Sequence, residues 1–126
     1  MQIDIFTLCD YAQNYAGKSI IIGTFNQISS KLFPFIYNTF NVVGRIGYET
    51  SGPKKLKLEI LDSNKANVVP PIEWNADVPN IIPPKMSYVE FNIALNQVQF
   101  KEPGTYEVKL YCEDVVRTLK LYVTQI

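Results

Sequence analysis

Two cysteines and a handful of loop carboxylates are the side chains with which this chain could do chemistry. It contains no histidine, which removes Ser–His and Cys–His nucleophile pairs in their usual forms. Histidine-containing zinc sites go with them, and Cys9 and Cys112 alone make a poor zinc set. Cys112 falls in phase with Val108 and Leu110, so it is expected to be a buried thiol. Cys9 ends an apolar run beside Asp10. A reactive thiol there needs a cationic neighbour, and Lys18 is the only one near in sequence. A structural role is expected for both, and a bridge between them stays open. Asp10 is expected to hold its connection by accepting backbone amides.

Asp62, Glu73, Asp77, Glu113 and Asp114 fall in expected loops. They lack the ligand spacing of a calcium loop, and no spacing places two of them as a glycosidase pair. Gly44-x-x-Gly47 lies in a β pattern, without the strand–loop–helix setting of a phosphate site. Lys54, Lys55 and Lys57 form a small basic run, but Glu59 shares the outward row, so cross-strand ion pairing accounts for it. The expectation is no catalytic, cofactor-binding or metal residue, no cofactor and no enzymatic activity.

The elements that would position any site are strands. Gln2–Leu8 alternates, and 9–18 reads as a connection with at most one helical turn at Ala12–Ala16. Ser19–Ile28 carries the most apolar run, Ile20-Ile21-Ile22, and is expected at the centre of a sheet; Gly23 marks a bulge or close approach. Lys31–Ile36 reads as a buried loop or edge, and Thr39–Tyr48 as a strand. Ser51-Gly52-Pro53 reads as a turn, Lys54–Asp62 as a half-exposed strand and Lys65–Val69 as a short strand. Ile72–Pro84, rich in proline, should break any central strand. Ser87–Leu95, Thr105–Cys112 and Val115–Thr124 alternate, the last two joined at Glu113-Asp114. About eight short strands without helix predict a single all-β domain over 1–126, a two-sheet antiparallel sandwich with an immunoglobulin-like arrangement.

Phe6-x-Leu8-Cys9-Asp10-x-Ala12, Gly17-Lys18, Ile22-Gly23-x-Phe25, Phe33-Pro34 and Pro103-Gly104-x-Tyr106 span most of the chain. Together they resemble a family of small uncharacterised bacterial proteins, a domain of unknown function. The resemblance implies a cytoplasmic β-sandwich and supplies no functional residue. The Pro-Gly-x-Tyr hairpin is also similar to those of immunoglobulin-like and macroglobulin-like domains, a fold-level signal.

Twelve basic and twelve acidic residues cancel, so neither nucleic acid nor an anionic membrane is an expected partner. The N-terminus does not read as a secretory signal and no apolar run spans a bilayer, so a cytoplasmic location is expected. The leading expectation is a protein-interaction or structural domain of bacterial or phage origin, with a protein partner or a homo-oligomer. The alternative is a small-molecule or carbohydrate-binding module. Trp74, with Ile81 and Ile82, either covers the core or forms an apolar patch in Val69–Met86; Trp74, Tyr37 and Tyr88 are the aromatics a sugar site would use.

Overall fold

Alternation, β-branched residues and frequent turn signals leave the chain little besides strands, and the computed structural model, which describes residues 1–82 and 85–126, contains no helix among them. Nine strands follow in order: β1 Gln2–Tyr15, β2 Lys18–Phe25, β3 Gln27–Ser30, β4 Phe35–Tyr48, β5 Gly52–Leu61, β6 Ile72–Val78, β7 Ser87–Phe100, β8 Gly104–Cys112 and β9 Val115–Gln125. They form two sheets, ordered β2-β1-β4-β7 and β3-β9-β8-β5-β6. Inward rows such as Phe6 and Leu8, Leu56 and Leu58, and Val108 and Leu110 share one core.

The expected count of eight strands is corrected to nine among the described residues: the Ser19–Ile28 strand divides, Ile72–Val78 is added and Lys65–Val69 is lost. At Asn26 the chain leaves the first sheet and enters the second, and the Asn26 carbonyl accepts the Tyr122 amide at 2.8 Å. Here β3 runs parallel to β9, so the pairing is not wholly antiparallel. The larger correction concerns Ile20-Ile21-Ile22. This run lies on β2, an edge strand, with Ile20 and Ile22 exposed.

Other boundaries move for local reasons. Residues 9–15 continue β1 rather than turning into helix, because β2 pairs with them as far as Tyr15–Lys18. Gly52 and Pro53 belong to β5, paired to Val78 and Asp77. Lys65–Val69 is not a strand. The Asp62 carboxylate takes the amides of Asn64 and Ala66 at 2.9 and 3.0 Å, which closes a turn and leaves one bridge, Leu61–Asn67. In the proline-rich part, Pro71 and Pro79 bracket β6 instead of breaking it, and an edge strand tolerates that. Pro83 and Pro84 lie outside the described residues.

Two positions shape the first sheet. Asn38 and Gln97 stand opposite one another between the pairs Tyr37–Val98 and Thr39–Asn96, and Gln97 has φ of +52°. Both strands change phase there without losing register. Phe35, Tyr37, Val98 and Phe100 pack inward on one side, Phe40, Val42 and Leu95 on the other. At Gly44 the Phe91 ring lies on the backbone, and a Cβ would fall 2.2 Å from it. That ring meets Trp74 edge-on at 5.1 Å, linking the free flanks of the two sheets. Gly44→Ala should therefore cost about 1–3 kcal/mol of stability in urea denaturation. The cost should shrink in a Phe91→Leu background, where the clashing ring is gone.

Candidate functional site

Beyond Cys9 the β1–β2 hairpin parts from β4. The β1–β4 register ends at Cys9–Asn41, while β1 and β2 stay paired to the hairpin tip. Carbonyls released on that side of β1 need donors, and two asparagines supply them. Asn41 donates to the Asp10 carbonyl at 3.1 Å, and Asn92 of β7 donates to the Ala12 carbonyl at 2.8 Å. Asn14 donates to Glu90 at 3.0 Å; the other Glu90 oxygen takes Arg45 at 2.7 Å. The Arg45 guanidinium lies 4.3 Å from the centre of the Tyr88 ring.

Glu90 and Asn92 alternate with the core-packed Val89, Phe91 and Ile93, so they point away from the core. Strand β4 lies between β1 and β7. A hairpin that reaches outward side chains of β7 must cross the outer face of β4. This is why Asn41 and Val43, which alternate with core residues, are also buried. Cys9 is buried too. Burial pushes its thiol pKa up, the amides of Tyr11 and Ile22 partly offset this, and Asp10 adds to the rise.

The crossing sorts the hairpin into two faces. Ala12, Asn14 and Ser19 line a small cleft with Val43, Glu90 and Asn92. Gln13, paired with Ile20, also borders the cleft, but Tyr11, Ile20 and Ile22 alternate with Ala12, Asn14 and Ser19 and so point to the opposite face. There Tyr11 is 50% exposed, Tyr15 67%, Ile20 43% and Ile22 56%. At the hairpin root Tyr37 donates to Asp10 at 2.7 Å. Gly23, at φ of +72°, faces the same carboxylate, and a Cβ there would lie 3.0 Å from it. Asp10 thus anchors its connection, though through a side-chain hydroxyl rather than the expected backbone amides.

Four strands are sheet edges, and three are blunted in ways that prevent pairing. β3 has four residues. β6 lies between prolines and carries Glu73 and Asp77. β7 is approached by β6 through Trp74 and is distorted at Gln97. β2 has no proline and no covering strand, its only charge, Lys18, stands at its first position, and its one left-handed residue, Gly23, lies past the isoleucines.

The chemistry-bearing residues do not converge. Cys9 and Cys112 are both free and buried, the first under the hairpin and the second in the core. No group of three or more His, Cys, Asp or Glu side chains suited to a metal occurs among the described residues. Glu113, in the β8–β9 turn, accepts the Lys55 amide at 3.0 Å and so extends the β5–β8 ladder. An open groove of about 600 Å³ on the outer face of the second sheet is lined by Lys55, Lys57, Glu73, Tyr111, Glu113 and Asp114. Lys57 is already held there, 3.9 Å from Glu59 and 5.3 Å from the Tyr111 ring centre. Trp74 packs half-buried on the core, Ile81 is half-buried and Ile82 is exposed. Trp74 and Tyr37 lie opposite or beside β7 residues seven positions apart, Phe91 and Val98, about 23 Å along a strand. With Tyr88 on the outer face, the three aromatics make no common platform.

No described helix is long and apolar enough to cross a membrane. The fold and the folded-back hairpin define a two-sheet all-β domain with a partly apolar outer surface. The chain belongs to a family of unknown function (DUF6941), which matches residues 4–124. No curated protein and no solved structure matches it.

The clasp residues were the hardest to anticipate. The Ile20–Ile22 run stood out in sequence but suggested a central strand, and Asn41, Asn92 and Asn14 carried no signal. Replacing Asn92 by Ala should loosen the hairpin. Mass-spectrometric thiol labelling should then modify Cys9 at least about fivefold faster, with Cys112 unchanged, because local opening controls access. Alkali provides a second check. Burial pushes Tyr37 and Tyr48 up to about 12 and Cys112 to about 11, against ordinary values of 10.0 and 9.0; hydrogen bonding to Asp10 adds at Tyr37. These acids hold their protons more tightly folded than unfolded. Their contribution to stability is therefore complete below about pH 9 and declines as pH rises towards 12. Denaturation midpoints measured from pH 8 to 11.5 should fall on that course.

Proposed function

We propose that this chain is a non-enzymatic protein-interaction domain that binds through the outer face of its β1–β2 hairpin. The observation carrying this reading is the position of the most apolar run of the chain: Ile20 and Ile22 stand exposed beside Tyr11 on an edge strand without proline or a covering strand. Folding does not require large apolar side chains there, and natural edges commonly avoid them. A contiguous apolar patch of this kind marks contact with another protein.

We read the strand arrangement as immunoglobulin-like. The parallel β3–β9 pair and the order β9-β8-β5-β6 in one sheet support that reading. We place the protein in the cytoplasm of a bacterium or of a phage-infected cell; two unpaired thiols suit a reducing compartment. The ligand-binding alternative draws on the groove beside Tyr111, where Lys57 is already engaged by neighbours.

The test compares tagged wild-type chain with an Ile20→Lys/Ile22→Lys variant as bait in lysate of the source cells. Wild type should recover a defined partner and the variant should lose it, with circular dichroism and melting temperature unchanged. Recovery of the same partner by the folded variant refutes the proposal, as does recovery of none by a wild-type chain that also stays monomeric in solution.

A further inference from the structure

Backbone pairing on β2 is one-sided. Its register with β1 runs from Tyr15–Lys18 to Leu8–Phe25. Among the described residues no loop and no side chain outside β1 hydrogen-bonds to its backbone between Lys18 and Phe25; the Ile22 amide is turned to Cys9 of β1, away from the open edge. The opposite edge of the hairpin differs in this respect, since Asn41 and Asn92 cover the released side of β1. An uncovered edge accepts one kind of occupant, an extended strand.

We propose that this occupant is a second copy of the chain, whose β2 pairs with the first antiparallel across a two-fold axis at Ile21. The inference rests on reading the hairpin as the interaction surface, and it identifies the partner. The strand is suited to itself. Pairing about Ile21 sets Ile20 opposite Ile22 of the other copy, twice. Because Ile22 neighbours Tyr11 and Ile20 neighbours Gln13 on β1, four isoleucines then join into one patch with a tyrosine at each end.

Charge permits this register. Lys18 is the only charged residue of β2, and it falls opposite Thr24 of the other copy. The two lysines stand about 20 Å apart, six strand positions, so like charges never meet across the interface. The chain carries no net charge to oppose the approach. On the remaining side Ile21 meets Ile21 of the other copy on the axis, flanked by the pairs Ser19–Gly23, whose small side chains leave the two isoleucines room. A two-fold contact of this kind closes on itself and yields a dimer rather than a filament.

Size sets the strength. Eight residues make a strand about 26 Å long, and a side-chain layer about 10 Å deep gives a footprint of roughly 260 Å². Stable complexes cover about 800 Å² per partner. The contact is well below that size, so the dimer is weak and reversible.

Sedimentation equilibrium of the full chain from about 5 to 1,000 μM should show monomer passing to dimer. Ile22→Lys should raise the dimer Kd at least about tenfold, since it places a charge among apolar partners. Geometry is tested by cysteine pairs. Residues facing each other across an antiparallel pair have Cα atoms about 4.5–5.5 Å apart, within disulfide range. Under oxidised glutathione Ile21→Cys should crosslink to itself, Lys18→Cys should not, and Lys18→Cys mixed with Thr24→Cys should. A wild-type chain monomeric at every concentration, or equal crosslinking of all three samples, overturns the two-fold pairing. If the chain is monomeric yet the Ile20→Lys/Ile22→Lys bait loses a different protein, only the self-pairing fails. If the bait experiment is also negative, the interaction reading fails with it.

Discussion

Strand β4 is covered on both faces, and the rest of the molecule is arranged around that constraint. Its inward row, Phe40, Val42 and Ile46, joins the shared core. Its outward row is closed by a hairpin that belongs to the same sheet. Closing it required β1 to stop pairing with β4 at Cys9 and to exchange backbone partners for asparagine side chains. Each released carbonyl would otherwise lose a hydrogen bond on being turned toward the protein, a penalty of about 1–3 kcal/mol. Asn41 and Asn92 avoid it, and Asn14 with Glu90 fixes where the tip lands.

The same crossing explains the surface. A hairpin laid over a sheet has an inner and an outer face. Small and polar residues, Ala12, Asn14 and Ser19, occupy the inner one. The outer one keeps Tyr11, Tyr15, Ile20 and Ile22 in solvent. An ordinary two-layer domain would spend isoleucines in its interior, where burying each contributes about 1.5–3 kcal/mol. Here they stand on an edge strand that, among the described residues, has no proline, no covering strand and a single charge, Lys18, at its first position; the proposed interaction surface draws on that distribution.

Much of the fold was legible locally. The strands flanking Glu113-Asp114 were readable because a tight turn ties neighbours in sequence to neighbours in space, and Tyr106, Val108, Leu110 and Cys112 do face inward. The alternation of Leu56, Leu58 and Ile60 was readable because the period of a single half-exposed strand needs no distant partner, and all three are buried. What escaped depends on contacts distant in the chain. An apolar run states that burial is favourable, not which strands flank it, so Ile20–Ile22 pointed to a sheet centre. Val43 is out of phase with the core residues Val42 and Ile46, and the hairpin residues that cover it, Ala12 to Ser19, are distant in sequence. The phase change at Gln97 needs a left-handed backbone in a residue that seldom signals one. Most of the candidate surface was therefore visible as composition and invisible as location.

Amide hydrogen exchange resolved by residue in a dilute sample reads both features at once. Amides of β4 from Phe40 to Ile46 should exchange slowest, since both faces are covered. Along Ser19–Ile22 protection should alternate, slow where the amide bonds to β1 and fast where it faces the free edge. Uniformly slow exchange through Ser19–Ile22 at the lowest concentration, or fast exchange in β4, would contradict a hairpin that folds over the sheet and leaves β2 open.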